Sequence, residues 1–276
     1  MKNKRLQPLR PGTNRMDPGR KIPQAEKRKR KRNPAQSQRL NQILSSAGLT
    51  SRRKADELIK SGKLMVNGRL VTELGARAIW GSDRITVDGR EIPGPSQRLY
   101  LMLNKPFGFI SALSDPEGRP VVTDLLKGID ERIYPVGRLD FDTLGLLLLT
   151  NDGEWAHRLT HPRYQVPRTY KVTVAQKITD NAIGLLNKGV QLDDGPVCRS
   201  KTNLIDRNNR QSVLRMTIAQ GKNRQVRRMV EVAGYEVIHL IRIGFGILEL
   251  GDLKVGEYRY LETEEVKSMK KLVGLK

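Results

Sequence analysis

Apolar residues recur with three different periods along this chain. Residues 1–36 show none: Pro8, Pro11, Pro18, Pro23 and Pro34 interrupt them and no apolar face repeats. Such a segment cannot bury enough apolar surface to offset chain entropy, so it is expected to be disordered when free. From Leu40 the pattern turns helical. Leu40, Ile43, Leu44 and Ala47 fall three and four apart, and Gly48 supplies the stop. Thr50 or Ser51 can cap a second helix, Arg52–Lys60, with Ala55, Leu58 and Ile59 turned inward. Short apolar stretches follow. Leu64-Met65-Val66 and Leu70-Val71 flank Asn67-Gly68, a strong hairpin signal, and Ile85 and Val87 alternate ahead of Asp88-Gly89. Two helices followed by a small sheet are therefore predicted for residues 37–96.

The pattern from residue 97 onward reads as longer strands and short helices. Leu99–Leu103 is a first strand, broken by Asn104-Lys105-Pro106-Phe107-Gly108. Tyr134-Pro135-Val136-Gly137 is a short strand that breaks at glycine. Leu144–Leu149 has the length and composition of a buried strand, and Thr150-Asn151-Asp152-Gly153 ends it with turn residues. Glu154–Leu159 is a short helix with Trp155 as a packing residue. Arg168–Val174 alternates, with Tyr170, Val172 and Val174 on one face. A helix over 179–190 carries Ile183, Leu185 and Leu186. Val213–Ile218 is a further strand, and Gly221–Met229 opens a helix ending near Gly234.

Charge changes the picture more than composition does. Among 276 residues, 51 are basic and 29 acidic, for a net charge of +22. Residues 1–36 alone hold 13 Lys or Arg against Asp17 and Glu26, which is half of that net charge. A polyanionic partner follows. No run approaches the roughly 18 apolar residues of a membrane span. No basic helix carries large apolar residues on one face either, so nucleic acid is favoured over a membrane surface. The N-terminus lacks a signal-peptide-like apolar stretch, and Cys198 is the single cysteine. A cytoplasmic protein without an intramolecular disulfide or a zinc–cysteine cluster is expected. His157 and His161 are spaced for a metal, but Pro162 disfavours a helix there and no third ligand is evident, so no metal site is predicted.

Three places carry candidate chemistry. Arg52, Arg53 and Lys54 occupy the first turn of a helix, where they oppose its dipole; they make sense if they meet phosphate. Lys222, Arg224, Arg227 and Arg228 crowd a strand-to-helix junction able to bind phosphate or cradle an acid. Asp140 lies in a loop leading into the core. By itself such an Asp is a turn former or a partner for arginine, although a loop held by rigid strands also suits a reactive group.

The longer strings decide between those readings. Gly137-Arg138-Leu139-Asp140, followed by Thr143, Gly145, the leucines and Asn151-Asp152-Gly153, resembles the signature loop of the pseudouridine synthases. It is similar to the branch containing large-subunit synthase B and its small-subunit relatives. Ser51–Ile59 with Val66-Asn67-Gly68 resembles the RNA-binding domain named after small ribosomal protein four. Lys105-Pro106-Phe107-Gly108 is similar to the family's first motif, Arg168-Thr169-Tyr170 to its tyrosine strand, and Gln225-Val226-Arg227 to its third motif. Arg242–Gly246 and Gly256–Leu261 complete a likeness covering roughly residues 38–265.

The resemblance implies an α+β protein: a basic tail over 1–36, a small RNA-binding domain over 37–96, and a catalytic domain over 97–276 on a mixed, mostly antiparallel sheet. It implies isomerisation of an rRNA uridine to pseudouridine, with the large subunit the nearer match and the small subunit the alternative. Asp140 is then the catalytic carboxylate, acting as nucleophile or as base, and Tyr170 lies against the target base. Arg227 is the ion-pair partner of Asp140, with Arg224 as runner-up. Arg138 fills the space the flipped uridine vacates. The break at Pro106 and Gly108 has a structural role, and Lys105 itself touches phosphate or is simply solvated. No cofactor and no metal are needed, the partner is rRNA or a ribosomal-subunit precursor, and a monomer is expected. A non-catalytic ribosome-assembly protein would use the same basic surfaces, but it has no need of Asp140, Tyr170 and Arg227 together.

Overall fold

Two turns shape the N-terminal part of the chain. Asn67 and Gly68 both take positive φ, 52° and 79°, as a two-residue hairpin turn requires. They join β2 (Leu64–Val66) to β3 (Arg69–Leu70), and Asp88-Gly89 joins β5 (Ile85–Val87) to β6 (Arg90–Glu91) in the same way. The computed structural model describes residues 37–276; the expectation for the tail lies outside the described residues. The remaining elements of this part are β1 (Gln38–Arg39), α1 (Leu40–Ser46), α2 (Arg52–Lys60) and β4 (Arg77–Ala78). The Ser51 hydroxyl caps α2 by accepting from the Lys54 amide at 3.3 Å. Leu40, Ile43, Leu44, Ala55 and Ile59 from the two helices bury against Leu64, Ala78 and Ile85 from the strands.

The larger part continues with β7 (Tyr100–Lys105), β8 (Tyr134–Pro135), β9 (Leu144–Thr150), α3 (Gly153–Thr160), β10 (Arg168–Ala175) and α4 (Asp180–Lys188). Then come β11 (Lys201–Arg207), β12 (Gln211–Ile218), α5 (Gln225–Val232), β13 (Val237–Phe245), β14 (Leu248–Glu249), β15 (Tyr258–Tyr260) and α6 (Thr263–Leu272). One mixed sheet runs β11-β12-β10-β13-β9-β7-β15, with β14 beside β13 and β8 beside β9. Every pairing in it is antiparallel except β9 with β13.

That parallel seam explains the unbroken apolar run. Leu147 and Leu149 point into one core, Leu146 and Leu148 into another, so both faces of β9 are covered. Each fully buried leucine contributes about 1.5–3 kcal/mol relative to exposure. At the start of the run, Gly145 (φ 103°) faces Arg242 across the seam, and a Cβ at Gly145 would collide with the Arg242 backbone. Only glycine allows the two strands to approach there.

Three expectations change. Asn104 and Lys105 extend the first large strand rather than break it; the interruption comes at Pro106, which lacks a donor. Leu185 is solvent-exposed on α4, where Ala182 and Leu186 face the core instead. The edge strand β11 escaped the pattern because it is largely polar and mostly unburied.

Candidate active site

The loop between β8 and β9 is held from several sides before any functional side chain is considered. Val136 N–H donates to Leu148 O at 2.7 Å, and Thr143 N–H closes a turn on Asp140 O at 3.1 Å. The Ser111 hydroxyl donates to Leu139 O at 2.9 Å and accepts from Leu139 N–H at 3.1 Å. Beneath the loop, Lys105 Nζ donates to Thr143 O at 2.9 Å, Pro106 O at 3.0 Å and Phe141 O at 3.4 Å. This lysine was expected to touch phosphate or to be solvated. It is fully buried, so the phosphate role fails: its ammonium is engaged by carbonyls of the loop itself. Burial lowers its pKa to about 8, while Asp142 and Asp140 act in the opposite direction.

Asp140 sits on this support, half-buried, in a cleft of about 230 Å³. Arg138, Arg168, Tyr170, Arg224 and Arg242 share the cleft lining. Among the described residues the Asp140 side chain makes no hydrogen bond and no ion pair. The expected bond to Arg227 is therefore corrected. Arg227 instead reaches Asp142 Oδ2 at 3.1 Å and also donates to Asp142 O at 3.1 Å. Arg224, the runner-up, pairs with the same carboxylate at 3.2 Å. The reason is local geometry. The Asp140–Thr143 turn sends the two acids in different directions, and Arg224 stands at the N-cap of α5 in a left-handed conformation (φ 46°) that brings it to Asp142.

Tyr170 is largely buried on β10 among Val172, Val174 and Leu240, and it also lines the cleft. Arg242, from β13, is buried beside it, and its Nε donates to Leu146 O at 2.7 Å. Arg168 is buried two residues before Tyr170. Burial lowers the pKa of both arginines. In the sequence Arg242 stands out only as part of a C-terminal pattern; a buried arginine on an apolar strand was the available signal. Arg138 is exposed and shares the cleft lining with Lys222 and Asn223. Arg52, Arg53 and Lys54 are exposed on α2 and do not line the cleft.

Two other groups lie outside this centre. Asp152 is buried, but its oxygens accept from Trp155 N–H at 3.2 Å, Tyr100 OH at 2.8 Å and Arg98 at 2.9 Å, so it caps α3 and anchors β7. The rings of His157 and His161 lie 5.2 Å apart, yet among the described residues no group of three or more His, Cys, Asp or Glu could hold a metal ion. No helix among the described residues is long and apolar enough to cross a membrane.

Comparison with known proteins agrees with this architecture. The family model for RNA pseudouridylate synthase matches residues 99–232, and that for the S4 domain matches residues 38–78. The chain is 46% identical over 237 residues to ribosomal large subunit pseudouridine synthase B of Bacillus subtilis, covering 85% of this chain and 96% of the relative. It is 38% identical to an uncharacterized RNA pseudouridine synthase of Aquifex aeolicus, covering 86% of this chain and 96% of the relative. A crystal structure of a pseudouridylate synthase superposes with a TM-score of 0.60 at 30% identity, covering 84% of this chain and 99% of that one. With likeness of sequence and fold extending over nearly the whole length of such relatives, the chain belongs to the RNA pseudouridine synthase family and is an RNA-modifying isomerase.

Proposed function

We propose that this enzyme isomerises a specific uridine of large-subunit rRNA to pseudouridine, with Asp140 as the catalytic carboxylate. The observation that carries the reading is the state of Asp140. It is held on a braced loop, faces a basic cleft, and has no side-chain partner among the described residues. A carboxylate serving structure alone would be expected to be engaged, as Asp142 and Asp152 are. The large-subunit target is supported by the name of the Bacillus subtilis relative.

The family resemblance supplies the steps of the reading, and the cleft supports them. A stacked uridine hides its glycosidic bond, so the base must flip out at a cost of a few kcal/mol. A cleft of about 230 Å³ lies below the roughly 300–1,000 Å³ of drug-sized sites, in keeping with a single base. Arg138 at the rim fills the vacated place in the stack, where its planar guanidinium replaces a base. Tyr170 supports the flipped base, and its hydroxyl moves a proton. Asp140 attacks the sugar or removes a proton from it, the base turns, and carbon 5 replaces nitrogen 1 on the sugar. Arg227 and Arg224 act through Asp142, tying the Asp140 loop to α5. Phe107 and Phe141, an exposed edge-to-face pair 5.7 Å apart beside this loop, offer a stacking surface to a neighbouring base.

In this reading residues 37–96 form an RNA-holding domain whose Arg52, Arg53 and Lys54 meet phosphates, and residues 97–276 do the chemistry. Residues 1–36 add electrostatic affinity without choosing the site. The test is to map pseudouridines across rRNA from cells with and without this protein. Loss at a large-subunit position is expected. Loss from small-subunit rRNA would redirect the target, and an unchanged map would overturn the rRNA assignment.

A further inference from the structure

The floor of the cleft stores positive charge that no carboxylate pairs with among the described residues. Arg242 is 2% exposed and Arg168 8%. Their guanidinium carbons lie 5.1 Å and 5.3 Å from the centre of the same ring, Phe245. Each donates to a backbone carbonyl, Arg242 to Leu146 and Arg168 to Leu159. Neither forms an ion pair among the described residues. One terminal nitrogen of Arg242 is buried with no hydrogen-bond partner, and the guanidinium faces the Tyr170 hydroxyl. An uncompensated buried cation is costly, and a second one nearby raises the cost. The fold nevertheless holds Arg242 in place at the parallel seam, where Gly145 makes room for its backbone. Preorganised positive charge in a largely dry site is matched to negative charge that appears during a reaction.

We propose that Arg242, assisted by Arg168, stabilises the negative charge on the uracil ring while it is detached from the sugar. The inference rests on the Asp140 reading above. When the bond from nitrogen 1 to carbon 1′ breaks, its electron pair leaves with the base. The base becomes a uracil monoanion, its charge shared among nitrogen 1 and the two carbonyl oxygens. Carbon 1′ is captured by the Asp140 carboxylate, or its charge is relieved by transfer of the carbon 2′ proton to Asp140. Carbon 5 then bonds to carbon 1′, Asp140 departs or returns its proton, and the carbon 5 proton ends on nitrogen 1. No outside reactant is consumed. On either route the base is anionic while it turns, which is the interval a fixed cation can serve.

A backbone phosphate is the competing anion, and the surroundings disfavour it. Phosphate is strongly hydrated and belongs to a strand that must enter and leave. The rim already offers it Arg138, Lys222 and Arg224. The floor is walled by Phe245, Tyr170 and Leu240, which suits a flat ring.

The test is a leaving-group comparison using Arg242→Met and Arg242→Lys. Substrates are the same rRNA fragment carrying uridine or 5-fluorouridine at the modified position. Fluorine withdraws electrons and stabilises the departing base itself. Because it also blocks loss of a carbon 5 proton, the quantity read is disappearance of the N-linked nucleoside at single turnover, beside RNA affinity. On uridine, Arg242→Met is expected to slow the reaction about 100-fold or more, the usual effect of removing one preorganised donor, with affinity unchanged. On 5-fluorouridine the loss should shrink to about tenfold or less, and Arg242→Lys should fall between. Melting curves establish folding; if Arg242→Met does not fold, Arg242→Lys and Arg168→Met carry the same comparison. Equal losses on both RNAs would overturn the proposal and leave a packing role. Weakened affinity with normal turnover would also overturn it, in favour of a phosphate site. Wild-type protein that modifies no rRNA fragment would remove the underlying reading instead, and this one with it.

Discussion

The two basic regions of this enzyme spend the same kind of charge in opposite ways. On α2, Arg52, Arg53 and Lys54 are exposed at a helix start, with no carboxylate partner among the described residues. Water screens them, and they are available to any phosphate that comes near. At the active site, Lys105 beneath the loop and Arg168 and Arg242 in the cleft are buried and committed to particular carbonyls and rings. Exposed charge supplies affinity that depends on salt. Buried charge supplies a fixed field that acts on whatever enters. Changes on α2 should therefore alter how strongly RNA binds, and changes in the cleft should alter what happens to it.

The largest test of that division is Asp140→Asn. The substitution keeps shape and removes the ionised oxygen. We expect normal folding and near-normal rRNA affinity, but no detectable pseudouridine at single turnover. Turnover like the wild type would return Asp140 to the role of a turn former. The same measurement on Asp152→Ala should show activity retained alongside reduced stability, since Asp152 caps a helix and replacing such a cap by alanine costs about 0.5–2 kcal/mol.

Next in size is Tyr170. If its hydroxyl moves a proton, Tyr170→Phe should bind RNA normally and turn over about 100-fold more slowly, within the range for general acid–base groups. Tyr170→Ala should in addition lose about 1–3 kcal/mol of binding as the stacking face disappears. A Phe variant as fast as wild type would leave the ring as the only contribution.

On the exposed side, replacing Arg52, Arg53 and Lys54 by Ala should weaken binding at low salt without changing the modified position. The plot of log affinity against log salt should flatten by about 0.7 for each single-strand phosphate that is no longer neutralised. A shifted modification site would break the comparison, because it would give the exposed charges a part in choosing the target.

The smallest effect concerns Lys105, whose pKa falls from 10.5 to about 8 on burial. Between those values the unfolded chain binds more protons than the folded one, so this group makes stability rise with pH across that window and adds no pH dependence well below it. Chemical denaturation of wild type and Lys105→Met, followed from about pH 7 to above the unfolded lysine pKa, isolates the contribution as a difference. Wild type should gain on the variant as pH rises. A constant difference would mean that Lys105 titrates normally.

Much of this protein was encoded within a few residues at a time. Asn67-Gly68 demanded its hairpin because two successive positive φ angles suit few other pairs. The alternation of Arg168–Ala175 and the leucines of β9 announced their strands because a buried face must be apolar. The Asp140 string was legible because its resemblance to the family's signature loop lies in local sequence. Pairings between distant segments were not. Whether Arg227 would meet Asp140 or Asp142 depended on which way a four-residue turn sent each acid, and on a left-handed Arg224 far along the chain. Lys105 looked solvated until β7 was placed beneath the loop it grips. The pairing of β13 with both β9 and β10 then brought Arg242 alongside Arg168 and Tyr170. Local backbone chemistry set the elements and the Asp140 loop; long-range strand pairing alone decided which charges would be buried together, because burial is a property of the assembled sheet and of no segment by itself.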